Sequence, residues 1–274
     1  MAEHIVKNGV YIPDSGIVYP EKPDTPIHNP KIVFDTDFEN DYPFLDKSLY
    51  GKWNRFIIYA GIFLIVFPLH LVLYGLKIKG KENIRKNRKL FINGAMTVSN
   101  HVYAWDFLAV VQAVKFRRLW FPVRALQVKS RSKFMIRGAG GLPIPETPAA
   151  ARKFNNAFNE LHSKKKWIHI FPEACRWDYY EPIRPFKKGA FKMAYRYDIP
   201  VIPMAFSYRE PKGIYKLLGI KHPLMTLNIG TPIVPKDMEG NSRNEICDSM
   251  RKNAHEQIAR MAGIEKNMWQ PELD

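Results

Sequence analysis

The chain has 274 residues, with 42 Lys and Arg against 26 Asp and Glu, a formal net charge of +16. That length supports one sizeable core or two small ones. The two cysteines, Cys175 and Cys247, exclude a disulfide framework and fit a reducing compartment, and they lack metal-ligand spacing. An apolar content of 46% excludes a polytopic membrane protein.

The charge is uneven along the chain. Residues 1–50 carry four Lys and nine Asp or Glu, a net −5, so the rest, with 38 Lys or Arg and 17 acids, carries +21. A body this basic calls for an anionic partner: nucleic acid, anionic lipid headgroups or a phosphorylated substrate. The acidic 1–50 stretch has several prolines and little periodicity, which predicts an irregular arm or a cover over the body. It has no apolar core of the kind a signal peptide needs.

Phe56 to Leu76 then runs without a charge. At about 1.5 Å per residue as a helix, it is long enough to cross a bilayer core. Lys52 and Arg55 precede it, Lys77, Lys79 and Lys81 follow, and Pro68 and His70 interrupt it. Two arrangements fit: a kinked transmembrane helix, or a broken segment lying in one leaflet with both ends cytosolic. Basic residues on both flanks favour the second. A buried core helix is the remaining option, against which stands apolar character on every face.

After Gly80 the pattern alternates. Strands are predicted over 95–98, 119–125, 167–171, 201–206 and 227–229, and helices over 105–114, 129–136, 187–197 and 242–261. Thr147-Pro148 opens a further helix, with Ala151, Phe154, Ala157, Phe158 and Leu161 at helical spacing. This is an α/β domain: a mixed, largely parallel sheet covered by helices, preceded by the apolar helical segment. The domain boundaries read as an arm over 1–50, an anchoring segment over 51–79 and a catalytic domain over 80–274.

The densest chemical signal is Ser99-Asn100-His101-Val102-Tyr103-Ala104-Trp105-Asp106. An imidazole can take a proton near neutral pH, and a carboxylate on its other nitrogen fixes the tautomer and stabilises the cation. Five helical residues turn through about 500°, so the two side chains meet only if His101 lies in the turn before a helix and Asp106 in its first turn. Three other segments add candidates for substrate binding. Gly140 and Gly141 permit close backbone approach. Glu173 and Arg176 follow a strand end and could hold a hydroxyl and an anionic group. Lys187 and Lys188 open a helix, whose amides also favour anions.

Together these blocks resemble the glycerolipid acyltransferase family over roughly residues 80–235. The family's Asn-His-x4-Asp block is matched by Asn100, His101 and Asp106, and its glycine-led loop by Gly140 to Glu146. Its Phe-Pro-Glu-Gly-x-Arg block is matched by Phe171, Pro172, Glu173, Ala174, Cys175 and Arg176, and its proline-rich strand by Pro200 to Pro203. Ala174 stands where the family has Gly, and Glu146 where it has an Arg associated with the acceptor phosphate. A carboxylate there repels phosphate unless cations such as Arg176, Arg184, Lys187 and Lys188 outweigh it; the alternative is an acceptor without a phosphomonoester, its headgroup a sugar, a phosphodiester or an amino-containing group.

The resemblance implies acyl transfer from acyl-CoA or acyl carrier protein to a lysolipid, typically 1-acylglycerol-3-phosphate, with His101 as base and Asp106 as its orienting partner. Glu173 and Arg176 would position the headgroup. No cofactor or metal is implied. The implied partners are a membrane lipid substrate and an anionic membrane surface, with acyl carrier protein as a further candidate, and the catalytic domain would face the cytosol. Three other readings compete. A basic nucleic-acid-associated protein leaves the apolar run unexplained, so no nucleic-acid partner is expected. A metal-dependent hydrolase would use His101, Asp106, His169 and Glu173. A non-catalytic membrane scaffold has no need of the His-Asp pair.

Overall fold

The computed structural model describes residues 11–40 and 42–271; residues 1–10 and Asp41 of the expected arm, and the last three residues, lie outside it. In chain order the elements are α1 (Leu49–Gly61), a π turn (Ile62–Val66), α2 (Phe67–Val72), β1 (Lys77–Lys79), α3 (Lys81–Lys86), β2 (Met96–Ser99) and α4 (Asp106–Ala113). There follow β3 (Leu119–Val123), α5 (Ala125–Val128), α6 (Lys133–Ala139), β4 (Gly141–Pro143), α7 (Pro148–Ser163) and β5 (Trp167–Ile170). The chain closes with α8 (Gly189–Tyr197), β6 (Val201–Arg209), α9 (Ile214–Leu217), β7 (Leu224–Ile229) and α10 (Arg243–Met261).

The strands form one seven-stranded sheet in the order β1-β7-β6-β2-β5-β3-β4. Every pairing is parallel except β6 with β7. The expected mixed, largely parallel sheet is therefore the observed one. Parallel strands are covered on both faces, and β2 is buried at all four positions. One face packs on α7, α8 and α10 through Phe158, Phe191, Met250 and Ile258. The other packs on α4 and the apolar helix through Ile62, Phe107, Val110 and Val111. β1 and β4 were not expected; each is three residues long, too short for a period-2 pattern to register. The strand expected at 227–229 begins earlier, at Leu224.

Local chemistry sets the helix starts. The Thr147 hydroxyl accepts the Ala150 amide at 3.3 Å, Pro148 occupies the first turn, and Ala150, Ala157, Phe158 and Leu161 form the buried stripe of α7. Pro68 has no amide proton, and its ring crowds the carbonyl four residues back. The helix absorbs this by widening just before it, where the Phe67 amide donates to the Ile62 carbonyl across the π turn.

Leu49–Val72 is thus one long helix, and it lies against the body rather than projecting from it. Near its start the Asn54 amide donates to the Phe134 carbonyl at 3.2 Å, and a Cβ on Gly138 of α6 would collide with Ile58. Mid-helix, the Tyr59 hydroxyl accepts the Leu119 amide at 3.0 Å. At the far end Gln112 Nε2 of α4 donates to His70 Nδ1 at 2.8 Å, and His70 is fully buried. The opposite face, with Trp53, Phe56, Ile57, Phe63, Leu64 and Ile65, is exposed. A core helix would be buried on both sides, so that option does not hold.

Among its described residues the arm has no regular structure before Leu49, and it covers the body, docking Phe38, Tyr42 and Phe44 into the α7 side of the core. Asp46 pairs with Arg137 at 3.0 Å.

Buried imidazoles are expected to make this fold acid-sensitive. His255 on α10 is buried, its Nε2 3.2 Å from the Ile183 carbonyl, and burial pushes it down to about 4 from 6.5. The unfolded chain therefore binds the extra proton first, and stability is lost as pH falls from 6.5 towards 4. We expect urea midpoints to drop over that range by an amount worth about 3 kcal/mol from this residue alone. The drop should be visibly shallower in His255→Gln.

Candidate active site

β2, β5, β3 and β4 run parallel, so their carboxyl ends share one edge of the sheet, the edge on which α/β proteins build their sites. Asn100, just past β2, is buried and bonds β6 on both sides: its Oδ1 accepts the Phe206 amide at 2.8 Å and its Nδ2 donates to the Phe206 carbonyl at 3.2 Å. That clamp fixes where the chain leaves the sheet. His101 follows in the turn and Asp106 opens α4, as the spacing requires.

His101 Nδ1 lies 2.6 Å from Asp106 Oδ2. The carboxylate is 2% exposed and the imidazole 22%. Asp106 Oδ2 also accepts the Val102 amide at 3.0 Å, and Oδ1 accepts the Phe107 amide at 2.7 Å. These donors at the helix start fix the carboxylate in direction. With Asp106 Oδ2 accepting from Nδ1, that nitrogen carries the proton, which leaves the Nε2 lone pair free for a substrate. The ring lies flat on Phe171, centroids 3.8 Å apart and 13° from parallel.

Glu173, expected to hold an acceptor hydroxyl, has both oxygens engaged by protein groups. Oε2 accepts the His101 amide at 2.9 Å and Arg184 Nη2 at 2.8 Å; Oε1 accepts the Arg184 amide at 3.0 Å. Arg184 was read from the sequence as one of the cations that could offset Glu146. It is instead 1% exposed and turned inward, donating also to the Pro23 and Cys175 carbonyls and lying over Trp177. Its role carried no sequence signal, because the pair closes across a loop of no regular structure.

The remaining candidates divide. Arg176 is partly exposed and forms an ion pair with Asp178, its Nε 2.8 Å from Oδ1. Lys187 Nζ reaches Asp24 of the arm at 2.8 Å, a hydrogen bond that holds that carboxyl below its ordinary range. Lys188 points to Asp248 on α10 instead, 3.1 Å away. Gly140 (φ +106°) and Gly141 serve close packing: Cβ atoms there would meet the Leu119 carbonyl and Ile136. Ala174, where the family has Gly, sits at φ +69°, a region costly for any residue with a Cβ. Glu146 is exposed in the segment after β4.

The sequence reading missed Arg124. It directly follows β3 on the same edge and is held by neutral oxygens of the arm, the His28 carbonyl at 3.3 Å and Asn29 Oδ1 at 3.0 Å. The metal-site alternative does not assemble. His169 is fully buried, its Nδ1 2.9 Å from Thr97 Oγ1, and burial pushes it down to about 3. The Phe171 ring contacts both imidazoles, stacked on His101 and edge-on to His169.

Among the described residues, the hydrogen bonds of the His101 ring include none to a serine, threonine or cysteine. This defines a class: an α/β domain with an imidazole held by a buried carboxylate at the carboxyl edge of its sheet. Comparison with known proteins supports the resemblance. The family model described as Acyltransferase matches residues 75–207, which include Asn100, His101, Asp106, Glu173 and Arg176. The 1-acyl-sn-glycerol-3-phosphate acyltransferase of Saccharomyces cerevisiae is 24% identical over 217 residues, 76% of this chain and 66% of the yeast protein. This chain thus spans just under two thirds of that relative's length. The crystal structure of the 1-acyl-sn-glycerophosphate (LPA) acyltransferase PlsC from Thermotoga maritima shares the fold, with a TM-score of 0.53 at 19% identity, covering 80% of this chain and 84% of PlsC. These likenesses support a glycerolipid acyltransferase reading of residues 75–207, just under half of the chain.

Proposed function

We propose that this protein transfers an acyl chain from an acyl thioester, acyl-CoA or acyl-acyl carrier protein, to a lysolipid hydroxyl, with 1-acylglycerol-3-phosphate as acceptor and phosphatidic acid as product. The observation that carries this reading is the 2.6 Å contact between His101 Nδ1 and buried Asp106, which leaves Nε2 to act as base. The acceptor oxygen attacks the thioester carbonyl while His101 takes its proton. The tetrahedral intermediate then collapses, the C–S bond breaks, and the departing thiolate takes that proton from His101. Asp106 stabilises the imidazolium between these steps. The reaction calls for no cofactor.

In this reading Glu173 acts from behind: with Arg184 it fixes the His101 backbone. The acceptor's anionic group is left to Arg176, Lys187 and Arg124, with phosphate displacing the arm contacts of Lys187 and Arg124. The apolar helix lies in one leaflet, with the catalytic domain on the cytosolic face. It touches the body at Asn54 and again at His70, so spanning the bilayer would draw α6 and α4 into hydrocarbon.

The test is thiol release from a long-chain acyl-CoA and from acyl-acyl carrier protein, each offered 1-acylglycerol-3-phosphate, lysophosphatidylcholine and a glycolipid acceptor. Release with no lysolipid acceptor would overturn the reading. Exposed Glu146 favours an acceptor without a phosphomonoester as second reading. Reversing its charge decides between them: Glu146→Arg should lower KM for 1-acylglycerol-3-phosphate about threefold to tenfold, on the order of 1 kcal/mol. An unchanged KM would remove Glu146 from the headgroup region.

A further inference from the structure

β6 and β7 are antiparallel neighbours, and such a pair needs a connection of only about two to five residues. Here the chain makes a far longer excursion, from Glu210 to Pro223. It leaves from the end of β6. That strand runs parallel to β2, so the excursion starts on the same edge of the sheet as His101.

Its composition is unusual for a surface loop. Ile214, Leu217 and Leu218 are 64%, 87% and 58% exposed, three large apolar side chains within five residues. Lys212, Lys216 and Lys221 are exposed among them, with Glu210 as the only acid of the excursion, paired to Lys212 at 3.0 Å. The short helix α9 is not loose. The Tyr215 hydroxyl donates to the Leu71 carbonyl at 3.2 Å, and a Cβ on Gly75 would touch the Tyr215 ring. The apolar prong therefore abuts the C-terminal end of the apolar helix, where Leu69, Leu71, Val72 and Leu73 are also exposed.

We infer that the 210–223 excursion is a second lipid contact. Ile214, Leu217 and Leu218 enter the same leaflet as the apolar helix, and Lys212, Lys216 and Lys221 meet anionic headgroups. The inference rests on the reading that the apolar helix is seated in a bilayer. Two things favour lipid as the occupant: continuity with that exposed helix face, and lysines ringing the apolar tip. A functional consequence follows. One contact leaves the body free to roll about the helix axis. A second contact beyond the end of β6 fixes the roll and holds the carboxyl edge, with the dyad, at the membrane surface.

The experiment places a polarity-sensitive thiol dye on Leu217→Cys in the full chain, with native Cys175 and Cys247 both buried. The protein is reconstituted into phosphatidylcholine vesicles containing phosphatidylglycerol. The dye should shift to the blue, and quenching by aqueous iodide should fall about fivefold or more against a dye on exposed Asn241→Cys, at the start of α10 on the opposite face of the sheet. Leu217→Asp with Leu218→Asp should slow transfer to vesicle-borne acceptor while leaving turnover of a water-soluble short-chain acceptor unchanged. If the dye at 217 is fully quenched while one on Leu64→Cys of the apolar helix is protected, the second contact is wrong and the anchor reading stands. If both are quenched, the anchor reading itself fails. Protection that follows protein density at fixed lipid would assign the patch to a second copy of the chain and overturn the proposal.

Discussion

His101→Ala is expected to reduce thioester-dependent transfer by about a thousandfold or more, with the protein still folded. The substitution removes the group proposed to take the acceptor proton. It leaves Asp106 with its bonds from the Val102 and Phe107 amides, so the turn keeps its shape. Phe171 loses its stacked partner, a partly exposed contact worth little to the core. Asp106→Asn separates orientation from basicity. An amide in that position offers its NH2 or its carbonyl to the imidazole, so the wrong tautomer becomes competitive. The expected loss is about a hundredfold to ten-thousandfold in kcat with KM for the acyl thioester little changed. The check is steady-state thiol release with circular dichroism melting on the same samples. Substantial retained turnover in folded His101→Ala would remove the mechanism, since the described hydrogen bonds offer no second base on that edge.

Much of this site was legible before any coordinates. The arithmetic of helical rotation dictated that His101 precede α4 and Asp106 open it, and the strand of small and β-branched residues before Ser99 located the turn. What sequence periodicity cannot carry is the direction of a loop side chain. Glu173 and Arg176 stand three apart in one block. Yet one turns inward to Arg184 and the His101 amide, and the other meets Asp178 at the surface. Lys187 and Lys188 are adjacent and point to opposite partners, Asp24 and Asp248. The apolar helix shows the same limit at larger scale. Its composition reads as apolar all round, but Gly51, Asn54, Ile62 and His70 form a buried seam that only the partners Phe134 and Gln112 reveal. His70, an oddity in a membrane-length run, is explained by that docking. The 210–223 excursion gave no signal because its apolar residues look like core until their exposure is known.

The inward pair is also where the largest stability effect is expected. Glu173 and Arg184 are both almost fully buried, and the carboxylate has no water to fall back on. Arg184→Met keeps bulk over Trp177 but leaves Glu173 facing only two backbone amides. Removing one member of a buried pair costs about 3–5 kcal/mol, because the other charge stays desolvated. Urea midpoints should fall accordingly. Glu173→Gln in the Arg184→Met background removes the stranded charge and should recover part of that loss, a positive coupling read from the double-mutant cycle. Because the same carboxylate grips the His101 amide, surviving folded Arg184→Met should show reduced kcat more than raised KM. Arg184→Lys, which keeps the charge but not the fork, should fall between the two. Equal losses for Arg184→Met alone and for the double variant would mean that Arg184 acts through its contacts with Pro23, Cys175 and Trp177. The proposed link from Glu173 to the catalytic histidine would then carry no energy.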